Sequence, residues 1–375
     1  MFTKVKDFFK KETVCCIAFL LAVVSMFFIP PSVNYFSYID FRVLALLFSL
    51  MAVVRGFSSI GVFTRLGTLL LHKVHSLRTL AALFVFLCFF FSMLITNDVA
   101  LITFVPFTIL VLSMADQRQA LIPVIVLETI AANLGSMLTP LGNPQNLYLY
   151  GKSGMSIGGF VLLMLPYTLV SLLLLLAWAA LVCRKASDAL SVDELVSSSA
   201  SQGDQKIILL YLVLFAVCLL SVIRVLPYGI AFAAVLVCVL FADPHTLRAV
   251  DYSLLLTFVA FFIFIGNLGR IPAFSGWLQE FLTGREVLVA VLASQVTSNV
   301  PAALLLSGFT AETQALIIGT NLGGLGTLIA SMASLISYRQ IARELPQGKK
   351  QYFGLFTLSN LIFLALLLGV WFLLR

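Results

Sequence analysis

Residues 133–150 read NLGSMLTPLGNPQNLYLY, and they interrupt an apolar run that begins near residue 120. Gly135, Pro140, Gly142 and Pro144 follow one another too closely for a continuous helix, because proline lacks the backbone donor and glycine gives up helical order cheaply. Backbone groups freed at membrane depth are tolerated only where they face protein or a water-filled cavity. The stretch therefore predicts a crossing, about 120–150, broken at its centre. A second stretch, residues 321–338, reads NLGGLGTLIASMASLISY. Paired without gaps from Asn133 and Asn321, the two share Leu134/Leu322, Gly135/Gly323, Thr139/Thr327, Leu147/Leu335 and Tyr150/Tyr338. Upstream, Thr96-Asn97 matches Ser298-Asn299, each between apolar arms. Phe160 and Trp178 are spaced like Phe353 and Trp371, and Asp40-Phe41 echoes Asp251-Tyr252. One such match means little in so apolar a chain, but their shared order speaks for an internal repeat.

The surrounding composition supports a membrane setting. Of 375 residues, 61% are apolar and only 10% charged, whereas a soluble domain of this size is nearer half apolar and a quarter charged. The formal charge of +7 sits in short connections between apolar runs, which reads as positive-inside topology and not as a nucleic-acid surface. Cys15, Cys16, Cys88, Cys218 and Cys238 lie within apolar runs and Cys183 at a helix end, with no C-x-x-C pair. They read as small packing residues, not disulfides or metal ligands. The basic start, Lys4 to Lys11, leads into an apolar segment without a small-residue cleavage site, so an uncleaved first helix with a cytoplasmic N-terminus is expected.

Threaded by charge, the chain predicts helices at about 14–30 and 41–55, then a basic connection holding Arg55, Arg65, Lys73 and Arg78. Two arms, about 79–95 and 99–115, meet at Thr96-Asn97-Asp98. The broken crossing and a helix at about 157–183 complete the first half. A polar, Ser-rich linker, 184–206, divides the chain. The connecting helix 207–227 then turns the second half upside down. Helices at about 228–242 and 251–269, arms around Ser298-Asn299-Val300-Pro301, a broken crossing at about 313–341 and a helix at about 351–374 follow. The expected organisation is 1–183 and 228–375 as two repeats. The fold class is an all-α polytopic membrane protein of two inverted repeats, each with a helical hairpin and a broken transmembrane helix; arms that span would also satisfy the charge rule, and the family resemblance below favours a re-entrant helical hairpin in each repeat. Such repeats mark secondary transporters that bind substrate near the midplane.

Helix ends at these tips lack intrahelical partners: N-termini attract anions, and unwound carbonyls coordinate cations. Asn97 and Asn299 offer carbonyl oxygens of the kind Na⁺ accepts, and Thr96 and Ser298 add hydroxyls. Gly135, Gly142, Gly323, Gly324 and Gly326 allow close backbone approach. The candidate substrate or cation site comprises Thr96, Asn97, Asp98, Asn133, Gly135, Thr139, Gly142, Asn143, Ser298, Asn299, Asn321, Gly323, Gly324 and Thr327. The competing reading is that small and polar residues merely hold helices together. Asp98 and Glu128 are acids inside apolar runs, costly there and functional by default. Their paired positions are Val300 and Leu316, so only the first half carries coupling candidates. His72 and His75 have a spacing that can bind metal, but a solvated basic loop accounts for them. No Ser/His/Asp set, paired-acid motif or Walker loop is present, which argues against an enzyme and against intrinsic ATP-driven pumping. A separate ATPase subunit stays open.

At these residues the chain resembles the ion-transporter superfamily, in its arsenite-permease, sodium/proton-antiporter and citrate-transporter-like branches. TNDVALITFVPFTI and TSNVPAALLLSGF resemble its two hairpins. ANLGSMLTPLGNPQN and IGTNLGGLGTLIASMASL resemble its two broken helices, with Leu328 where a proline is usual. The resemblance implies half-entering tips and elevator-like alternating access, often as a dimer. Relatives in the sodium–dicarboxylate branch carry Ser-Asn-Thr at both tips; here the third positions are Asp98 and Val300, which moves the match towards the arsenite and antiporter branches. The expectation is a plasma-membrane secondary transporter of a small anion, carboxylate or oxyanion, using Na⁺ or H⁺ as coupling ion and no other cofactor. Arsenite or antimonite efflux and Na⁺/H⁺ antiport are the alternatives, and a passive channel stands further off.

Overall fold

Helices follow the apolar runs closely. The computed structural model describes residues 12–71, 76–182 and 205–375. The basic N-terminal run, the His72/His75 pair, Cys183 and most of the 184–206 linker lie outside the described residues. Eight helices are long and apolar enough to cross a membrane, and no strand occurs among the described residues. The outer faces are apolar: Ile17, Leu20 and Phe27, Leu162, Leu169 and Leu173, and Leu358 and Leu366 are all exposed. The centre holds buried Asn97, Asn133, Asn143, Asn146, Asn299 and Asn321. That inversion of the soluble pattern is what a lipid solvent demands, since polar groups must find partners inside the protein.

The chain opens with α1 (Thr13–Phe28), α2 (Phe41–Ser59) and α3 (Val62–Leu71). A first hairpin, α4 (Leu77–Ile95) and α5 (Asn97–Met114), precedes a broken crossing, α6 (Leu121–Ser136) and α7 (Pro144–Ser153), and then α8 (Ile157–Val182). The second half runs α9 (Gln205–Val222), α10 (Tyr228–Ala242), α11 (Tyr252–Gly269) and α12 (Pro272–Leu282). A shorter hairpin, α13 (Glu286–Thr297) and α14 (Asn299–Ser307), leads to a second broken crossing, α15 (Thr313–Leu322) and α16 (Met332–Glu344), and to α17 (Lys349–Leu374). The echo of Asp40 in Asp251 is a matched pair of caps: each carboxylate accepts the N–H three residues on, Val43 or Leu254, at 3.0 Å.

Two helices of ten residues or more were not expected. α3 falls in the stretch read as a basic connection, and α12 precedes the second hairpin. Both are too short to span. α3 buries Phe63 against Phe57 and Phe91 while Leu69 stays exposed. α12 buries Leu278 and Leu282 and leaves Trp277 and Phe281 exposed and stacked. Such amphipathic helices carry too little apolar sequence to register as crossings.

The helices pack as two groups. α4 and α5 pack on α6, α13 and α14 on α15, and both broken crossings pack against α8 or α17. Apart from these, α1 packs on α11, and α2 on α9 and α10. The groups meet where α2 passes α5 and α7 and where α11 passes α14.

Candidate functional site

Each hairpin turns on a single residue in a conformation nearly reserved for glycine. Thr96 has φ 75° and ψ 150°, and Ser298 has φ 77° and ψ 155°. Such backbone costs about 1–3 kcal/mol and persists only where surrounding contacts enforce it. Those contacts are matched. The Asn97 N–H donates to the Gly142 carbonyl at 3.0 Å, and the Asn299 N–H donates to the Ala330 carbonyl at 3.0 Å. Gly142 and Ala330 occupy the same place in the gapless pairing, so each tip docks on the turn of the break beside it.

The rest of the docking follows the same pattern. Thr139 donates its hydroxyl to the Met93 carbonyl. Thr327 does so to the Gln295 carbonyl at 3.1 Å. Gly135 lies against α4: a Cβ there would press into the Phe89 carbonyl and come within 2.6 Å of the Ser92 hydroxyl. Gly323 lies against α13, where a Cβ would come within 2.6 Å of the Ser294 hydroxyl. Gln295 further stitches the second turn, donating to the Gly323 and Leu325 carbonyls at 3.0 and 2.8 Å and accepting from the Thr327 N–H at 2.9 Å. Gly142 and Gly326 serve tight turns, Gly326 at φ 109°. Gly324 leaves room for the Asn299 amide, 3.1 Å from where a Cβ would stand.

The broken crossings are tied crosswise. Asn133 accepts from Ser331 at 3.0 Å and donates to Ser334 at 3.2 Å. Asn321 accepts from Asn143 at 3.1 Å and donates to Asn146 at 2.6 Å. In the gapless pairing Ser331 stands opposite Asn143 and Ser334 opposite Asn146, so each α6 or α15 asparagine grips the start of the other half's continuing helix. Asn97 joins this network by donating to Asn133 at 3.0 Å. Thr129 adds a bond to Ser337 at 2.7 Å. Sequence reading singled out Asn133, Asn143 and Asn321, but not Asn146, Ser331, Ser334 or Gln295. The signal for three of these was present: both positions pair small polar with small polar, Asn with Ser, which a count of identities discards.

Of the expected residues, Thr96, Asp98 and Asn143 face one cavity, and Thr327 is exposed outside it. The first three line a cavity of about 510 Å³ on the seam between the helix groups, opposite Leu47 to Arg55 of α2 and Asp251 to Leu254 at the start of α11. Three helix N-termini, those of α5, α7 and α11, border it. Its charged lining is Arg55 with Asp98, Glu12 and Asp251. Glu12 accepts from Ser253 at 2.5 Å, and Asp251 caps α11. At the other ends of α2 and α11 a second cavity of about 780 Å³ is lined by Asp40, Arg42, Lys152 and Tyr148 among others. Tyr148 packs its ring against Phe258 and Phe262 and places its hydroxyl 2.8 Å from that of Ser307. Among the described residues no cluster of His, Cys, Asp or Glu has the form of a metal site.

Residues 5–315 match the citrate transporter family. The chain is 33% identical over 310 residues to Inner membrane protein YbiR of Escherichia coli (strain K12), covering 80% of each chain. It is 31% identical over 305 residues to a transporter of Methanocaldococcus jannaschii, covering 81% of this chain and 82% of that one. Over 135 residues, 36% of this chain and 27% of the relative, it is 34% identical to a silicon efflux transporter of Oryza sativa subsp. japonica.

Proposed function

The chain belongs to the citrate transporter family and is a multi-pass membrane transporter, and from that membership we propose that it carries a small anion, a carboxylate or an inorganic oxyanion, together with Na⁺ or H⁺. The observation that carries this reading is the cavity at the first hairpin tip. Three helix N-termini border it, and their dipoles favour an anion. Yet its side chains include three carboxylates against one guanidinium, so a bare anion is repelled. A cation or proton at Asp98 relieves that repulsion, which makes co-binding the natural consequence of the lining. Asn97 and Asn299 serve as cation-facing residues at the tips, and the crosswise network holds the breaks in place around them. In this reading the hairpins and broken crossings move against α1, α2 and α9 to α11, and the return arm α5 can lift from α6, exposing the site alternately at two faces of an inner (plasma) membrane.

The test is uptake of labelled citrate, phosphate and sulfate into proteoliposomes under an imposed Na⁺ or H⁺ gradient. One anion concentrating only with a cation gradient is the expected result. A second reading, efflux of an uncharged oxyacid, draws on the acidic lining and on the likeness to a silicon efflux transporter. If silicic or arsenious acid moves and no anion does, that reading replaces the first. Proton movement driven by Na⁺ with no solute present points to antiport.

A further inference from the structure

Glu128 plays no part in the cavity. It lies on α6, five residues before Asn133, with 0% of its surface exposed. One carboxyl oxygen, Oε1, accepts from the Thr108 hydroxyl of α5. The other, Oε2, is fully buried and finds no donor among the described residues. The titratable groups that feel its charge are Cys88 of α4 and Tyr352 of α17, and both are buried. Of the other elements against α6, α8 offers Tyr167, α16 offers Tyr338 and the exposed Arg339, Arg343 and Glu344, and α15 offers no titratable side chain. None of these forms a bond with the carboxyl. The paired position in the second half is Leu316, also 0% exposed, so the fold does not need an acid there.

A carboxylate enclosed in this way would leave one charged oxygen without donor or counterion, at a cost of several kcal/mol. A carboxylic acid carries no charge and meets a smaller penalty, and its O–H can donate to the Thr108 hydroxyl. We propose that the Glu128–Thr108 pair is a proton-binding site between the return arm of the first hairpin and the broken crossing. The proton binds Glu128 while α5 lies on α6. It leaves to water when the arm separates, so the charge state of Glu128 follows the position of the hairpin. The use of this proton in coupling rests on the transporter reading; the site itself does not.

Infrared difference spectroscopy of the full chain in lipid, stepped in pH with no solute added, reads the proton alone. The wild type should show a carboxylic-acid carbonyl band that gives way to carboxylate stretches as pH rises. Glu128→Gln should lose that band, Asp98→Asn should keep it, and Thr108→Val should move it. Labelling with ¹³C-glutamate shifts a glutamic-acid band and leaves an aspartic-acid one in place, which secures the assignment if Glu128→Gln does not fold. A band that survives in Glu128→Gln, ignores the glutamate label, or never titrates while the protein stays folded overturns the proposal. A titrating Glu128 band in a protein that concentrates no anion refutes the transport reading and leaves the proton site standing.

Discussion

Asn321→Ala isolates the crosswise network. The substitution removes two bonds between the halves, from Asn143 at 3.1 Å and to Asn146 at 2.6 Å, and one local bond to the Ile317 carbonyl at 2.8 Å. Hydrogen bonds between membrane helices average about 0.6 kcal/mol and reach about 1.7. The two interhelical bonds therefore account for about 1–3 kcal/mol. Asn143 keeps Ser136 as a partner at 3.2 Å. The Asn146 carbonyl oxygen keeps no other side-chain donor, and an unmet buried acceptor costs about 1–3 kcal/mol more. A loss of about 3 kcal/mol is expected, read by denaturation with sodium dodecyl sulfate in mixed micelles. Asn360→Ala is the control, because its amide donates only within its own helix, to the Phe356 carbonyl at 2.8 Å, and should cost below about 1 kcal/mol. The double variant Asn321→Ala/Asn146→Ala should lose about 1 kcal/mol less than the sum of the singles. Full stability in Asn321→Ala, or strict additivity with Asn146→Ala, refutes the idea that these residues bind the two halves together.

Gly135→Ala should cost about 3 kcal/mol in the same assay, the upper end for overpacking, because the Phe89 backbone carbonyl cannot swing aside. Gly323→Ala should cost less once Ser294→Ala has removed the hydroxyl it meets at 2.6 Å. Thr96→Gly should raise stability by about 1 kcal/mol by relieving the tip backbone at φ 75°, while slowing transport if the tip must hold one shape; an unchanged or lowered midpoint contradicts the strain. Asp98→Asn should leave the fold intact and abolish dependence of uptake on the cation gradient; retained dependence in proteoliposomes removes Asp98 from the coupling role.

Several readings were available without coordinates because each rests on local chemistry. Glycine and proline density placed both breaks, because a helix seldom continues through such residues at such spacing, and polar Thr96-Asn97 and Ser298-Asn299 between apolar arms marked both tips. The gapless pairing of 133–150 with 321–338 also aligned Gly142 with Ala330 before either was known to receive a tip N–H. Less was legible about roles. Asn133, Asn143 and Asn321 look like ligands in a list of polar residues, but their amides are engaged with Ser331, Ser334, Asn146 and one another. Gly135 and Gly323 make room for a neighbouring helix.

Apolar length, charge placement and breaker residues determine, from sequence alone, a helical membrane protein with two hairpins and two interrupted crossings, because the bilayer forces each segment to satisfy its own backbone. Which polar side chain faces a partner and which faces open space is another matter. Asn321 meets Asn146, and Arg55 shares a cavity with Asp98, only because helices far apart in the chain are brought to one seam. Local sequence carries no record of that meeting, so the division between residues that clamp and residues that line open space was decided by tertiary structure.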